Sequence, residues 1–295
     1  MYKIKVMSYT KMVISGGGIN GIAIVGAISE FSNLYDINKI KDILCVSVGC
    51  IIGLLICLDY KMEDIENIFQ EIKMEEFTDY DISNIFETFG MDNGEGGKKL
   101  IQAILINKNL SKDLTFEELY EIKNKKLIIT GTDVTYGTDV YFSKDNYPTM
   151  KIADAIRIST SFPGMYEPVK FENRLFVDGG LLAPYPIDYF MGDDDVIGFL
   201  INRDKPDPNN KDTHYETETI DKYFYSLLYI VLNKYQDKCY MGYEKNTVFM
   251  NKSDLTDNPM QFSLSKETKE NLIKKGKECF LNFYTKRKME ENEKE

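Results

Sequence analysis

The sequence has no Trp, a single His and only four Arg among its 36 basic residues. Each scarcity removes a chemistry. A Ser-His-Asp hydrolase would have to use His214, which lies among Pro206, Asn209, Asn210 and Asp212 and reads as a solvated loop residue. A zinc site with two His from one chain is excluded. The 47 acidic residues outnumber the basic ones and leave a net charge of −11. Such a field opposes coating nucleic acid or an anionic membrane, so no nucleic-acid partner is expected. Long apolar runs are also missing. The longest, Ile43 to Leu58, is interrupted by Ser47, Gly49 and Gly53 and is shorter than the ~18–20 residues of a membrane span. The start of the chain carries no stretch resembling a secretory signal. The cysteines are odd in number (Cys45, Cys50, Cys57, Cys239, Cys279) and none forms a CxxC pair. Reduced, buried thiols in an intracellular, cytoplasmic protein follow, with contact to a membrane limited to its surface.

What is present alternates between strand and helix, which specifies an α/β fold. Apolar strands are expected at Met12–Ser15, Ile43–Val46, Leu127–Thr132, Asp139–Ser143, Val196–Ile201 and Thr247–Asn251. A hairpin is expected from Val169–Phe171 and Leu175–Val177, turning at Glu172-Asn173. Helices fall at Ile22–Phe31, Cys50–Leu58, Ile152–Thr160, Thr217–Tyr240 and Ser265–Lys288. Residues 61–123 change character: they are polar and helical in period, and Met91 to Gly97 reads as a flexible break. This segment is expected to be a helical insertion, with Thr115 and Glu118 forming a capping box. Its apolar residues Ile65, Ile68, Phe69, Ile85, Phe86 and Phe89 either pack on the core or face lipid, and packing is the preferred reading. No repeat or linker divides the chain, so residues 1–295 read as one domain with C-terminal helices over 217–288. Nothing in the sequence specifies an oligomer.

Three motifs carry chemistry. Gly16-Gly17-Gly18-Ile19-Asn20-Gly21 lies between the first strand and the first helix. Such a loop brings bare backbone N–H groups to a ligand, either a dinucleotide phosphate or an oxyanion. The dinucleotide reading, a nicotinamide-type oxidoreductase, wants an acidic residue closing the second strand. That strand closes on Cys45-Val46-Ser47, and Asp42 sits at its opposite end. Cys45-Val46-Ser47-Val48-Gly49 has the form of a nucleophile elbow, with small residues at both flanks and a helix N-terminus behind Ser47. Asp178 follows a strand and precedes Gly179-Gly180, and it is a better base candidate for Ser47 than His214.

Taken in order, the glycine loop, the elbow, Ala155-Ile156-Arg157-Ile158-Ser159-Thr160-Ser161-Phe162-Pro163 and Asp178-Gly179-Gly180 resemble the patatin-like phospholipases over Met12 to Asp188. The Lys-rich, Arg-poor usage suits a bacterial or large-DNA-virus member. The resemblance implies a three-layer α/β/α fold with a mostly parallel central sheet and a Ser–Asp dyad. It implies Ser47 as nucleophile, Asp178 as proton acceptor and an oxyanion hole built by Gly16, Gly17, Gly18 and Gly21. It implies hydrolysis of fatty-acyl esters in membrane or micellar lipid, with no cofactor and no metal. The chain departs from the family pattern at Ser15, Asn20 and Cys45, where an acidic residue, a cation and a glycine are usual. These departures motivate an alternative, a catalytically weak or silent member that binds lipid or a partner protein.

Overall fold

A computed structural model describes residues 8–202, 217–251, 255 and 264–292. His214 and the loop anticipated around it lie outside the described residues. The chain runs β1 (Lys11–Ile14), α1 (Gly21–Leu34), β2 (Asp42–Cys45), α2 (Val48–Cys57), α3 (Met62–Glu71), α4 (Ile85–Thr88), β3 (Gly90–Asp92) and α5 (Glu95–Asn107). It continues α6 (Phe116–Lys123), β4 (Lys126–Asp133), β5 (Thr138–Phe142), α7 (Ile152–Ser159), β6 (Gly164–Tyr166), β7 (Val169–Phe171) and β8 (Arg174–Asp178). The remaining elements are β9 (Val196–Asn202), α8 (Ile220–Cys239), β10 (Thr247–Asn251) and α9 (Lys266–Asn292).

The central sheet is ordered β10-β9-β1-β2-β4-β8-β7, with β5 also on β4. The pairs from β10 to β4 are all parallel. Strands buried on both faces favour apolar residues on both sides, which is why Met12–Ile14, Ile43–Cys45, Leu127–Ile129 and Val196–Ile201 read as apolar runs. Alternate residues divide between two cores. Met12, Ile14, Ile43, Cys45, Leu127 and Ile129 face the larger one, shared with α1, α2, α3, α5, α7 and α9. Val13, Leu44, Ile128 and Leu200 face a smaller one, closed by Tyr185, Ile187 and Phe190 and flanked by Tyr240 and Tyr243. Among the described residues this second core is the smaller of the two.

Helices α1 and α9 cross at two glycines. A Cβ on Gly26 would overlap the Ile273 carbonyl, and one on Gly276 would overlap the Ala23 carbonyl. The backbones touch, so the crossing admits no side chain at either position.

The capping box at Thr115 is present. The Thr115 N–H donates to Glu118 Oε2 at 2.8 Å, and the Glu118 N–H donates to Thr115 Oγ1 at 3.3 Å. Two expectations for the insertion fail. The stretch from Met91 to Gly97 is no flexible break: it holds the end of β3 and the start of α5. Buried Asp92 ties it down by accepting from the amides of Asp79 and Gly94. Strand β3 pairs with β6, Gly90 opposite Gly164 and Asp92 opposite Tyr166, in a second small sheet. Three-residue strands so far apart in sequence leave no periodic signal. The apolar stripe also divides. Ile65 and Phe69 are buried, whereas Phe86 and Phe89 are 87% and 67% exposed.

Candidate active site

Strand β4 brings the two candidate catalytic side chains together. Strand β5 occupies one of its edges, from Ile129 opposite Phe142 to Asp133 opposite Thr138. The other edge is shared. Strand β2 runs along Lys126 to Ile129 in parallel, and β8 runs along Asp133 to Gly131 in the opposite direction. The two strands approach head-on, β2 ending at Cys45 opposite Ile129 and β8 ending at Asp178 opposite Gly131. Ser47, just past the first end, donates from Oγ to Asp178 Oδ2 at 2.7 Å across 131 residues of chain.

Each partner is fixed from behind. The other Asp178 oxygen, Oδ1, accepts from the Gly180 N–H at 2.7 Å. The Asp178 N–H donates to the Ser161 carbonyl at 2.9 Å, and Thr132 Oγ1 donates to the Asp178 carbonyl at 2.9 Å. Gly179 must be glycine because a Cβ would overlap Thr130 Oγ1. Asp178 is 3% exposed, so its position is held by these contacts rather than by solvent.

Ser47 sits at φ 53°, ψ −128°, a conformation a serine adopts only under constraint. Two features hold it. Its N–H donates to Ser159 Oγ at 2.9 Å, and its carbonyl accepts from Cys50 in the first turn of α2. Ser159, fully buried at the end of α7, also accepts from Cys50 Sγ at 3.3 Å. The sequence places Ser159 inside a family-like segment, but its contact with the elbow depends on how α7 docks beside β2. The N-terminus of α2 starts at Val48 and directs its partial positive charge toward Ser47.

The glycine loop lies against the elbow. A Cβ on Gly16 would stand 3.1 Å from Ser47 Cβ, one on Gly17 would stand 2.7 Å from Ile201 Cγ1, and one on Gly49 would stand 2.7 Å from the Ser15 carbonyl. Gly18 takes φ 55°, which favours glycine. Gly21 differs from its neighbours in the loop. Its N–H is already bonded to the Gly18 and Ile19 carbonyls, so it offers nothing to a ligand. Its role is steric, because a Cβ there would press within 2.8 Å of Val48 Cγ1.

The three departures have structural accounts. Ser15 Oγ donates to the Gly16 carbonyl at 2.8 Å and accepts from the Ile201 N–H at 3.0 Å, tying the loop to β9. Asn20 is 1% exposed, held within the loop. Cys45 fits because Gly53, on α2, leaves room; a Cβ on Gly53 would stand 3.0 Å from Cys45 Sγ. Burial pushes the Cys45 thiol well above its ordinary pKa, so it is no rival nucleophile to Ser47.

Arg157 links the site to the insertion. Its guanidinium donates to the Asn93 carbonyl from Nε at 3.1 Å and from Nη2 at 2.7 Å, and to the Glu167 carbonyl at 2.8 Å. It also donates to Ser161 Oγ, and the carbonyl of that same Ser161 steadies Asp178. Among the described residues, no group of three or more His, Cys, Asp or Glu side chains is arranged to hold a metal ion.

Comparison with known proteins identifies the family. A family profile described as "Patatin-like phospholipase" matches residues 12–191. The chain is 34% identical to the uncharacterized protein R571 of Acanthamoeba polyphaga mimivirus over 282 residues, 93% of each chain. It is 26% identical to "Probable lipid hydrolase 463L" of Invertebrate iridescent virus 6, covering 63% of this chain and 65% of that one. Among solved structures it resembles VipD from Legionella pneumophila, with a TM-score of 0.64 at 15% identity, over 95% of this chain and 67% of that one. The large, mostly parallel sheet, the ordered motifs and the family profile lead to one assignment: the chain belongs to the patatin-like phospholipase family.

Proposed function

We propose that the protein is a lipid acyl hydrolase of phospholipase A type, with Ser47 as nucleophile and Asp178 as proton acceptor. The observation that carries this reading is the 2.7 Å bond from Ser47 Oγ to Asp178 Oδ2, made by a serine in a strained elbow conformation. In the first half-reaction Ser47 Oγ bonds to the ester carbonyl carbon while its proton passes to Asp178. The backbone amides of Gly16, Gly17 and Gly18 face the oxyanion. The intermediate then expels the lysophospholipid oxygen, which leaves with the proton held by Asp178. In the second half-reaction water gives a proton to Asp178 and attacks the acyl-enzyme, and the fatty acid departs as Ser47 recovers its proton. The dinucleotide alternative is disfavoured by the glycine loop's close packing on Ser47 and Ile201 and by the apolar close of β2. The silent-member alternative loses its motive at Cys45, whose side chain is accommodated.

Fluorophosphonate labelling tests the proposal. The intact protein is expected to label at Ser47 and to release fatty acid from phosphatidylcholine micelles. Activity that survives Ser47→Ala would overturn it.

Ser159 gives a second test. Ser159→Ala removes the acceptor for the Ser47 N–H and frees the elbow to relax. The expected result is a drop of about tenfold to a hundredfold in kcat with KM little changed, since a displaced nucleophile loses rate before it loses binding. Steady-state kinetics and the rate of fluorophosphonate labelling would check it.

A further inference from the structure

Helix α8 buries one aliphatic residue, Leu232, and leaves most of its others exposed. Its polar residues Ser226, Asn233 and Gln236 are buried. Ile220, Phe224, Leu227 and Val231, spaced along one stripe, are 82%, 58%, 46% and 66% exposed. A surface helix whose only task is to cover a core shows the opposite pattern.

The inner side of α8 lies over the candidate site. Tyr225 and Tyr229 stack on Phe162, with ring centroids 6.1 and 6.2 Å away. Further along, Gln236 Nε2 donates to the carbonyl of Ile201, the residue against which Gly17 is closed. The helix thus runs from the Ser159–Ser161 side of the site to the glycine loop.

A second apolar feature adjoins its N-terminal half. Gly164, which faces the Tyr225 hydroxyl, pairs with Gly90. Immediately before Gly90 stand the exposed rings of Phe86 and Phe89. Phe89 takes φ 68° at the end of α4, a position suited to Gly or Asn. A bulky aromatic held there two-thirds in solvent gives the fold little packing.

We infer that the outer stripe of α8, together with the Phe86–Phe89 tip, is the face on which the protein rests on a zwitterionic lipid surface. The choice of lipid as occupant rests on the acyl-hydrolase reading above. Charge narrows the choice. Exposed Lys234 and Lys238 border the stripe, and exposed Asp79, Asp81 and Glu87 border the tip. Both signs at the margin match a head-group layer that carries both signs. A net charge of −11 repels an anionic surface and a second copy of the chain alike. Exposed Tyr223 and Tyr235 flank the stripe and are of the type favoured at head-group depth. Among the described residues no helix is long and apolar enough to cross a membrane, so α8 lies on the surface.

Vesicle flotation tests the inference, performed on the Ser47→Ala protein so that no turnover alters the lipid. Binding to phosphatidylcholine vesicles is expected, and it should persist when salt is raised several-fold because burial of apolar surface is not screened. Phe224→Ser with Val231→Ser, and separately Phe86→Ser with Phe89→Gly, should each lower partitioning at least tenfold. Phe89→Gly relieves the left-handed backbone, so melting temperatures that hold or rise exclude unfolding as the cause. With Ser47 intact, the same surface variants should hydrolyse a water-soluble short-chain ester at the parent rate. The inference is overturned if the variants float like the parent, if binding requires anionic lipid, or if the parent is a dimer that the Phe224→Ser and Val231→Ser changes dissociate. Flotation lost on mutation, in a protein that hydrolyses no ester, would sink the acyl-hydrolase reading and leave the docking face standing.

Discussion

Ser47→Ala and Asp178→Asn should each reduce the release of fatty acid from phosphatidylcholine micelles by at least about 10³-fold, with little change in melting temperature. The magnitude follows from the proposed roles, in which Ser47 would supply the attacking oxygen and Asp178 would take its proton. Removing either member of such a unit costs nearly as much as removing both, leaving only what binding and the oxyanion donors supply. The asparagine substitution is the more informative. Its carbonyl oxygen can still accept from Gly180, as Asp178 Oδ1 does at 2.7 Å. Its amide nitrogen would then face Ser47 Oγ as a donor, in place of the carboxylate oxygen that accepts at 2.7 Å. Shape is kept and proton acceptance is lost. The double variant should be no worse than the weaker single variant by more than a few-fold. Additive losses would mean that the two side chains act independently and would contradict the dyad. Fatty-acid titration with each variant at saturating lipid, beside thermal melts, makes the comparison.

Gly276→Ala should destabilise the protein by about 2–3 kcal/mol or more, against the usual direction of a glycine-to-alanine change in a helix. Intrinsic propensity alone would favour Ala by about 1 kcal/mol. At Gly276 the new methyl would occupy the space of the Ala23 carbonyl, so α1 and α9 must separate along their whole contact. Gly26→Ala meets the Ile273 carbonyl at the same crossing and should behave alike, and the two losses should fall short of additive because one displacement relieves both. Gly97 is the control. It lies in α5, and a methyl group added there would meet nothing within 4 Å, so Gly97→Ala should raise stability by up to about 1 kcal/mol. Urea unfolding of the three single variants would show the change of sign. Equal stabilisation at Gly97 and Gly276 would contradict the direct backbone contact.

Much of the scaffold was legible because parallel strands buried on both faces leave apolar runs that cannot be mistaken for solvated segments. Ile43–Cys45 and Val196–Ile201 are of this kind. The glycine loop and the elbow were legible because backbone in close approach tolerates few residue types. The rest depended on tertiary placement. Periodicity identifies residues that share a helix face but not which face turns inward, and α8 turned Ser226, Asn233 and Gln236 in beside Leu232 while leaving Ile220, Phe224 and Val231 out. The same limit divided the insertion's stripe, burying Ile65 and Phe69 while exposing Phe86 and Phe89. Ser159 stood in plain view, but its bond to the Ser47 amide spans 112 residues and depends on where α7 docks. Gly21 matched the loop pattern, yet a short turn had already claimed its amide. The β3–β6 pair was too short to leave any pattern.

The head-on meeting of β2 and β8 has a consequence for how such proteins diversify. The spacing between Ser47 and Asp178, the proposed nucleophile and base, is set by the short step from Ile129 to Gly131 on a single strand, not by the long stretch of chain that separates them. Segments within that stretch, such as the unit from α3 to α6, can change in length while this step on β4 is kept, provided the Asn93 carbonyl still meets Arg157. Selection for new substrates can therefore rework the surroundings without having to rebuild the chemistry.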